Sequence, residues 1–117
     1  MQSLFDSELR LMEIVWENEP ISAKEISMIA AQKFDWNKNT TYTEIQRLIE
    51  KKILRRDEPG FICSSIIKKG EVQKAETKTL IDKLFGGSKK AFFSAFADDT
   101  LSPEEVEVLK ELIKKKG

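Results

Sequence analysis

The chain has 117 residues, 40% of them hydrophobic and 34% charged, with five glycines and three prolines, the composition of a folded chain rather than a disordered one. No apolar run approaches the roughly 18–20 residues of a membrane-spanning helix, and the N-terminus lacks the basic-then-apolar order of a signal peptide. A cytoplasmic location without membrane insertion is expected. One cysteine excludes an internal disulfide, and the absence of histidine removes the commonest general base and metal ligand. No catalytic pair, metal site or cofactor is therefore expected, and the chain does not read as an enzyme.

The formal net charge is zero, which for an evenly charged chain argues against nucleic acid, whose affinity comes largely from phosphate neutralisation. The distribution is uneven: residues 1–37 carry three basic and seven acidic side chains, and residues 38–56 carry six basic and two acidic. The positive charge is local.

In chain order, Asp6 reads as the N-cap of a first helix reaching residue 18, with Leu9, Met12, Val15 and Trp16 at helical spacing on one face. Pro20 and Ile21 end it. Ser22-Ala23-Lys24-Glu25 forms a capping box, with Ile21 and Ile26 as its staple. The second helix then extends to about residue 33 with Ile26, Ile29 and Ala30 inward. Asn37 caps a third helix over residues 38–52, in which Thr41, Ile45, Leu48 and Ile49 form the buried stripe and Asn39, Thr40, Thr43, Arg47 and Glu50 the opposite face. Two β-prone runs, 53–56 and 61–64, flank Asp57-Glu58-Pro59-Gly60, where Pro then Gly suits a type II turn. Three helices and a hairpin in that order are a winged helix-turn-helix.

The rest is helical. Residues 68–85 carry Val72, Ala75, Leu80, Ile81 and Leu84, Gly86-Gly87-Ser88 is a break, and residues 89–97 form a second helix. Ser102-Pro103-Glu104-Glu105 opens a third with N-cap, first-turn proline and capping-box glutamate, stapled by Leu101 and Val106, and it ends in a lysine run. The fold class is mainly α, a winged helix-turn-helix over residues 1–66 followed by a helical dimerisation segment over residues 67–117.

A helix entering the major groove needs short polar side chains near its N-terminus and longer basic ones behind them. Asn37, Lys38, Asn39, Thr40, Tyr42, Thr43, Gln46 and Arg47 meet that description, and Lys51, Arg55 and Arg56 extend the positive surface toward the wing. The helix N-terminus itself favours a phosphate. An isolated amphipathic helix would carry such residues merely as its solvated face; the preceding helix and following hairpin favour DNA. Phe61 either packs under the sheet or touches a sugar, Cys63 is a small strand residue with nothing nearby to activate it, and Trp16 and Trp36 belong to the core. Phe92, Phe93 and Phe96 are too dense for a solvated helix, and about 50 residues bury them poorly together with Val106, Leu109, Leu112 and Ile113. A second copy of the chain is the simplest cover, also engaging Leu80 and Leu84. Folding back on the N-terminal domain is the alternative.

The residues Glu8-Leu9-Arg10-Leu11-Met12 through Val15-Trp16, Trp36-Asn37-Lys38-Asn39-Thr40-Thr41 through Arg47-Leu48, Leu84-Phe85-Gly86-Gly87-Ser88 and Leu101-Ser102-Pro103-Glu104-Glu105 resemble the penicillinase-repressor group of BlaI, MecI and CopY-type regulators, over nearly the whole chain. The resemblance implies a repressor that binds palindromic double-stranded operator DNA as a homodimer, reading it with the third helix and pairing through the C-terminal helices. For the β-lactam-responsive members it implies induction by a membrane sensor protease, whose cleavage region falls here at Ser94-Ala95-Phe96. The family's Asn-Phe pair is absent there, as is the cysteine cluster of the copper-responsive members; the third helix begins Asn-Lys in place of Ser-Pro, and the wing is about two residues shorter. The competing reading from another class is a winged-helix module that docks protein without reading DNA, which salt dependence separates from DNA binding.

Overall fold

The computed structural model describes residues 4–97 and 101–116, and places α1 at Asp6–Asn18, β1 at Ile21–Ser22, α2 at Ala23–Phe34, α3 at Lys38–Glu50, β2 at Leu54–Asp57, β3 at Ile62–Ser65, α4 at Lys69–Phe85, α5 at Lys89–Ala97 and α6 at Pro103–Lys116. The chain divides into two compact units, residues 1–73 and 74–117, with the division inside α4. None of the described helices is long and apolar enough to cross a membrane.

In the first unit, α1, α2 and α3 enclose a core of Leu11, Met12, Ile14, Val15, Ile21, Ala23, Ile26, Ala30, Ile45 and Leu48, closed on the sheet side by Ile53, Leu54 and Cys63. Trp16, Ile29, Trp36 and Ile49 pack at its edge. Leu9, expected inward, is 38% exposed, while Leu11 and Ile14 turn in with the buried Glu8. Because α1 touches both other helices, its buried stripe is wider than a single heptad face and is rotated away from Leu9. The cap of α1 is also displaced: Asp6 is the first helical residue, and Phe5 holds the N-cap position with its N–H donating to Glu8 Oε1 at 2.8 Å.

The other two caps form as local chemistry dictates. Ser22 Oγ accepts the Glu25 N–H at 3.1 Å and Asn37 Oδ1 accepts the Thr40 N–H at 2.8 Å, each satisfying a first-turn donor that the helix cannot. Asp35 enters the left-handed region (φ 58°), and the Asp35 and Trp36 N–H groups donate back to the Ala31 and Ala30 carbonyls. That turn sets the direction of α3 relative to α2.

Helix α3 stops at Glu50, two residues short of the expected end, because Lys52 adopts a φ of 62° and the Ile53 N–H returns to the Leu48 carbonyl at 3.0 Å. The hairpin strands sit one residue later than expected. Gly60 takes the positive φ its turn requires (97°), and Phe61 is left-handed too (51°). β2 pairs antiparallel with β3 from Leu54↔Ser65 to Asp57↔Ile62, and β1, which periodicity does not reveal in two residues, pairs with the other edge of β3 through Ile21↔Cys63 and Ser22↔Ile62. The sheet order is β1-β3-β2, so the wing grows from a strand fixed to the start of α2.

Side-chain links, these among them, hold the exit from the sheet. Glu19 accepts the Ser65 N–H at 2.8 Å, Trp16 Nε1 donates to the Ile67 carbonyl at 3.1 Å, and Lys69 pairs with Glu13 at 3.1 Å. In the second unit, Phe92 gathers Phe85, Phe93 and Phe96 at ring separations of 5.3–5.6 Å. The box opening α6 closes both ways, Ser102 N–H to Glu105 Oε1 at 2.9 Å and Glu105 N–H to Ser102 Oγ at 3.2 Å. The side chains of Leu109, Leu112 and Ile113 lie outside the described residues.

Candidate nucleic-acid interface

The outer side of α3 is built by helical spacing. Asn39, Tyr42, Thr43, Gln46, Arg47 and Glu50 line one shallow depression along it, opposite the buried Thr41, Ile45 and Leu48. Lys38, Asn39, Thr40, Thr43, Gln46 and Arg47 are exposed, and the short residues precede the long ones toward the C-terminus. Asn37 is not free to read a base with its amide oxygen, which serves as the cap acceptor.

The cations are more heavily paired than the charge count suggests. Arg47 sits 3.3 Å from Glu44, whose carboxylate is buried at 6% exposure on the same helix. Arg55 pairs with Asp57 at 3.0 Å and Arg56 with Glu58 at 2.6 Å. The hydrogen bond from Arg56 holds the Glu58 carboxyl below its ordinary range, aided by the charge of the same guanidinium. Arg55 and Asp57, two apart on β2, share a face, and Arg56 meets Glu58 where the chain enters the turn, so each wing arginine has its own acid. Such exposed pairs are screened by water and contribute little.

Lys51 differs from the rest. Its ammonium lies 2.7 Å from Oε1 of Glu8 and 4.4 Å from the Phe5 ring centre, and its side chain is only 19% exposed against 0% for Glu8. The structure thus directs Lys51 to the α1 start rather than outward with Arg47, Arg55 and Arg56. Sequence reasoning missed Glu8: a glutamate three residues after the cap position fits a first-turn carboxylate, but its partner is 43 residues away.

Tyr42 is half-buried and turned toward the wing. Its ring meets Phe61 edge-on at 5.9 Å and 81°, Lys38 Nζ lies 5.7 Å from the Tyr42 ring centre, and the Arg56 guanidinium carbon lies 3.5 Å from that of Phe61. Cys63 is fully buried beneath this surface, and burial pushes its thiol up to about 11, so it is a packing residue and no nucleophile.

Three helices, a helix-helix turn fixed by two caps and a hairpin wing, part of a three-stranded sheet and bearing cations beside a polar helix face, define a winged-helix domain. The comparisons specify the family. Residues 4–115 match the penicillinase repressor family. The chain is 32% identical over 111 residues to the penicillinase repressor of Staphylococcus aureus, covering 92% of this chain and 87% of that protein. With the methicillin resistance regulatory protein MecI of Mammaliicoccus sciuri it shares 26% over 113 residues, 94% and 92% of the two chains. The solution structure of the DNA-binding domain of the repressor BlaI matches with a TM-score of 0.55 at 26% identity, covering 58% of this chain and 85% of that one. The monomeric form of Bacillus licheniformis BlaI in complex with the blaP half-operator matches with a TM-score of 0.54 at 25% identity, covering 60% and 88%. The chain belongs to the penicillinase repressor family.

Proposed function

We propose that this protein is a cytoplasmic transcriptional repressor that binds a palindromic operator as a homodimer, with α3 in the major groove and the wing on the flanking phosphates. The observation that carries the reading is the outer face of α3. A capped helix presents Asn39, Thr43, Gln46 and Arg47 in one row, the residue types that read base edges, on a domain similar to the BlaI monomer solved in complex with the blaP half-operator. Arg55 and Arg56 add phosphate contacts.

Dimerisation falls to the helical segment over residues 67–117. Leu80 and Leu84, one turn apart on α4, stay exposed, Leu84 at 67%, and Phe96 is exposed as well. Apolar side chains left in water at that spacing support pairing with a second copy. Joining two readers raises the effective concentration of the second half-site encounter. Ser94, Ala95 and Phe96, all solvent-facing on α5, are the candidate region for a membrane sensor protease to cut, which would separate α6 from the DNA-binding unit. The regulated genes would then serve β-lactam resistance or a related stress response.

Selection of duplexes from a randomised pool by the full chain, followed by titration across salt, tests the reading. Enrichment of a two-fold symmetric sequence, with affinity falling steeply between 50 and 200 mM salt on the order expected for several phosphates, is the expected result. No enrichment, or binding indifferent to salt, would point to a protein-docking module. Arg47→Ala should weaken the selected duplex by about 1–3 kcal/mol.

A further inference from the structure

We propose that Phe61 is a positioning residue for DNA binding: its ring fixes the wing cation Arg56 against Tyr42 of α3, so that helix and wing meet the duplex as one surface. The inference rests on the DNA-binding reading and deepens it.

The backbone of Phe61 is held in a conformation that a side chain disfavours. A φ of 51° in a non-glycine residue is sparsely populated and persists where the surroundings over-determine it. Here the determinants are on both sides of the residue. The Phe61 carbonyl accepts the N–H of Ala23, the first residue of α2, at 2.9 Å. The Phe61 ring meets Tyr42 edge-on at 5.9 Å and carries the Arg56 guanidinium on its face at 3.5 Å. Arg56 also donates its Nε to Glu58 at 2.6 Å, which leaves its terminal nitrogens without an acceptor among the described residues.

A cation on a ring with one donor satisfied loses the rotamer freedom of a loose arginine while keeping its terminal donors available. At the other end of the row, Lys38 Nζ lies 5.7 Å from the Tyr42 ring centre. The row Lys38, Tyr42, Phe61, Arg56 therefore places two cations at the ends of a packed aromatic pair, one on the recognition helix and one on the wing. Their separation is set before DNA arrives, which lowers the ordering cost of binding. Tyr42 belongs to this row by geometry, as a spacer rather than a base reader.

The test uses the full chain and a labelled duplex selected from the randomised pool by the wild-type protein. Phe61→Gly removes the ring and at the same time relieves the left-handed strain, because glycine accepts that φ. Affinity should fall about tenfold and the salt slope by about one to two, as ordered phosphate contacts are lost, in a protein shown folded by circular dichroism, whose urea midpoint falls with the packing of the ring on the core. Phe61→Tyr keeps the ring and should restore both. Wild-type affinity and slope in a folded Phe61→Gly protein would overturn the inference. Should that variant fail to fold, Tyr42→Leu breaks the row from the helix side, with the same expected loss and the same refuting result. A wild-type chain that retains no duplex overturns the DNA-binding reading and this inference with it; wild-type binding with unaffected variants overturns this inference alone.

Discussion

Replacing Lys51 by methionine isolates the one cation of the basic segment that faces inward. Glu8 is 0% exposed; its Oε1 receives the Phe5 N–H at 2.8 Å and the Lys51 ammonium at 2.7 Å, while Oε2 has no hydrogen-bond partner among the described residues. Lys51→Met leaves that carboxylate in the interior with one N–H to serve it. Breaking a buried pair from one side costs about 3–5 kcal/mol, and the residual solvent contact of Lys51 argues for the lower end, about 3 kcal/mol. A unit of this size has roughly 4–10 kcal/mol of stability in total, so the loss is a large share, equivalent to a melting-temperature drop of roughly 12–24 °C. Urea unfolding followed by tryptophan fluorescence reports it well, since Trp16 and Trp36 both pack on this core. The double variant Glu8→Gln, Lys51→Met removes both charges and should recover most of the loss, with duplex affinity near that of the wild type. A single variant costing under about 1 kcal/mol, the value of an exposed pair, would refute the buried-pair account. A double variant that is stable yet binds DNA much more weakly would return Lys51 to the phosphate contacts.

Leu48→Ala empties a fully buried position on α3 and should cost about 2–5 kcal/mol by urea denaturation. Cys63 should resist a thiol reagent such as dithionitrobenzoate at pH 8 in the native protein and react fully once unfolded. Because burial raises its thiol from the ordinary 9.0 to about 11, the stability linked to the neutral thiol is complete below pH 9 and lost as pH rises through 11, about 3 kcal/mol in all; unfolding midpoints measured across that window in wild type and Cys63→Ala should diverge accordingly. Ser102→Ala removes the acceptor for the Glu105 N–H and should destabilise the start of α6 by about 1 kcal/mol, visible as reduced helical circular dichroism.

What the sequence discloses here is what is local. The caps at Ser22, Asn37 and Ser102 act within three residues, and each forms as its spacing requires. The helix order and the wing follow from such signals, and so does the polar face of α3, whose inner stripe of Thr41, Ile45 and Leu48 fixes by subtraction what points out. Long-range partnerships are not legible. Two residues of β1 carry no periodicity, and their pairing with β3 depends on where the wing returns. Leu9 and Ile14 cannot be ranked without knowing that α1 contacts both other helices. Lys51 and Tyr42 read as surface residues because Glu8 and Phe61, which turn them inward and sideways, lie 43 and 19 residues away along the chain. The acids Asp57 and Glu58 sit just beyond the basic segment and reduce its net charge from four to two, a correction that strand periodicity makes visible once the hairpin is placed.

The central claim, that the outer face of α3 and the wing together contact DNA, is tested most directly by amide chemical-shift mapping of the full chain titrated with the selected duplex. The largest perturbations should gather on residues 38–47 and on Arg55 and Arg56, with Glu8 and Lys51 little changed. Perturbations centred instead on the outer face of α1 or on α4, with residues 38–47 silent, would contradict it.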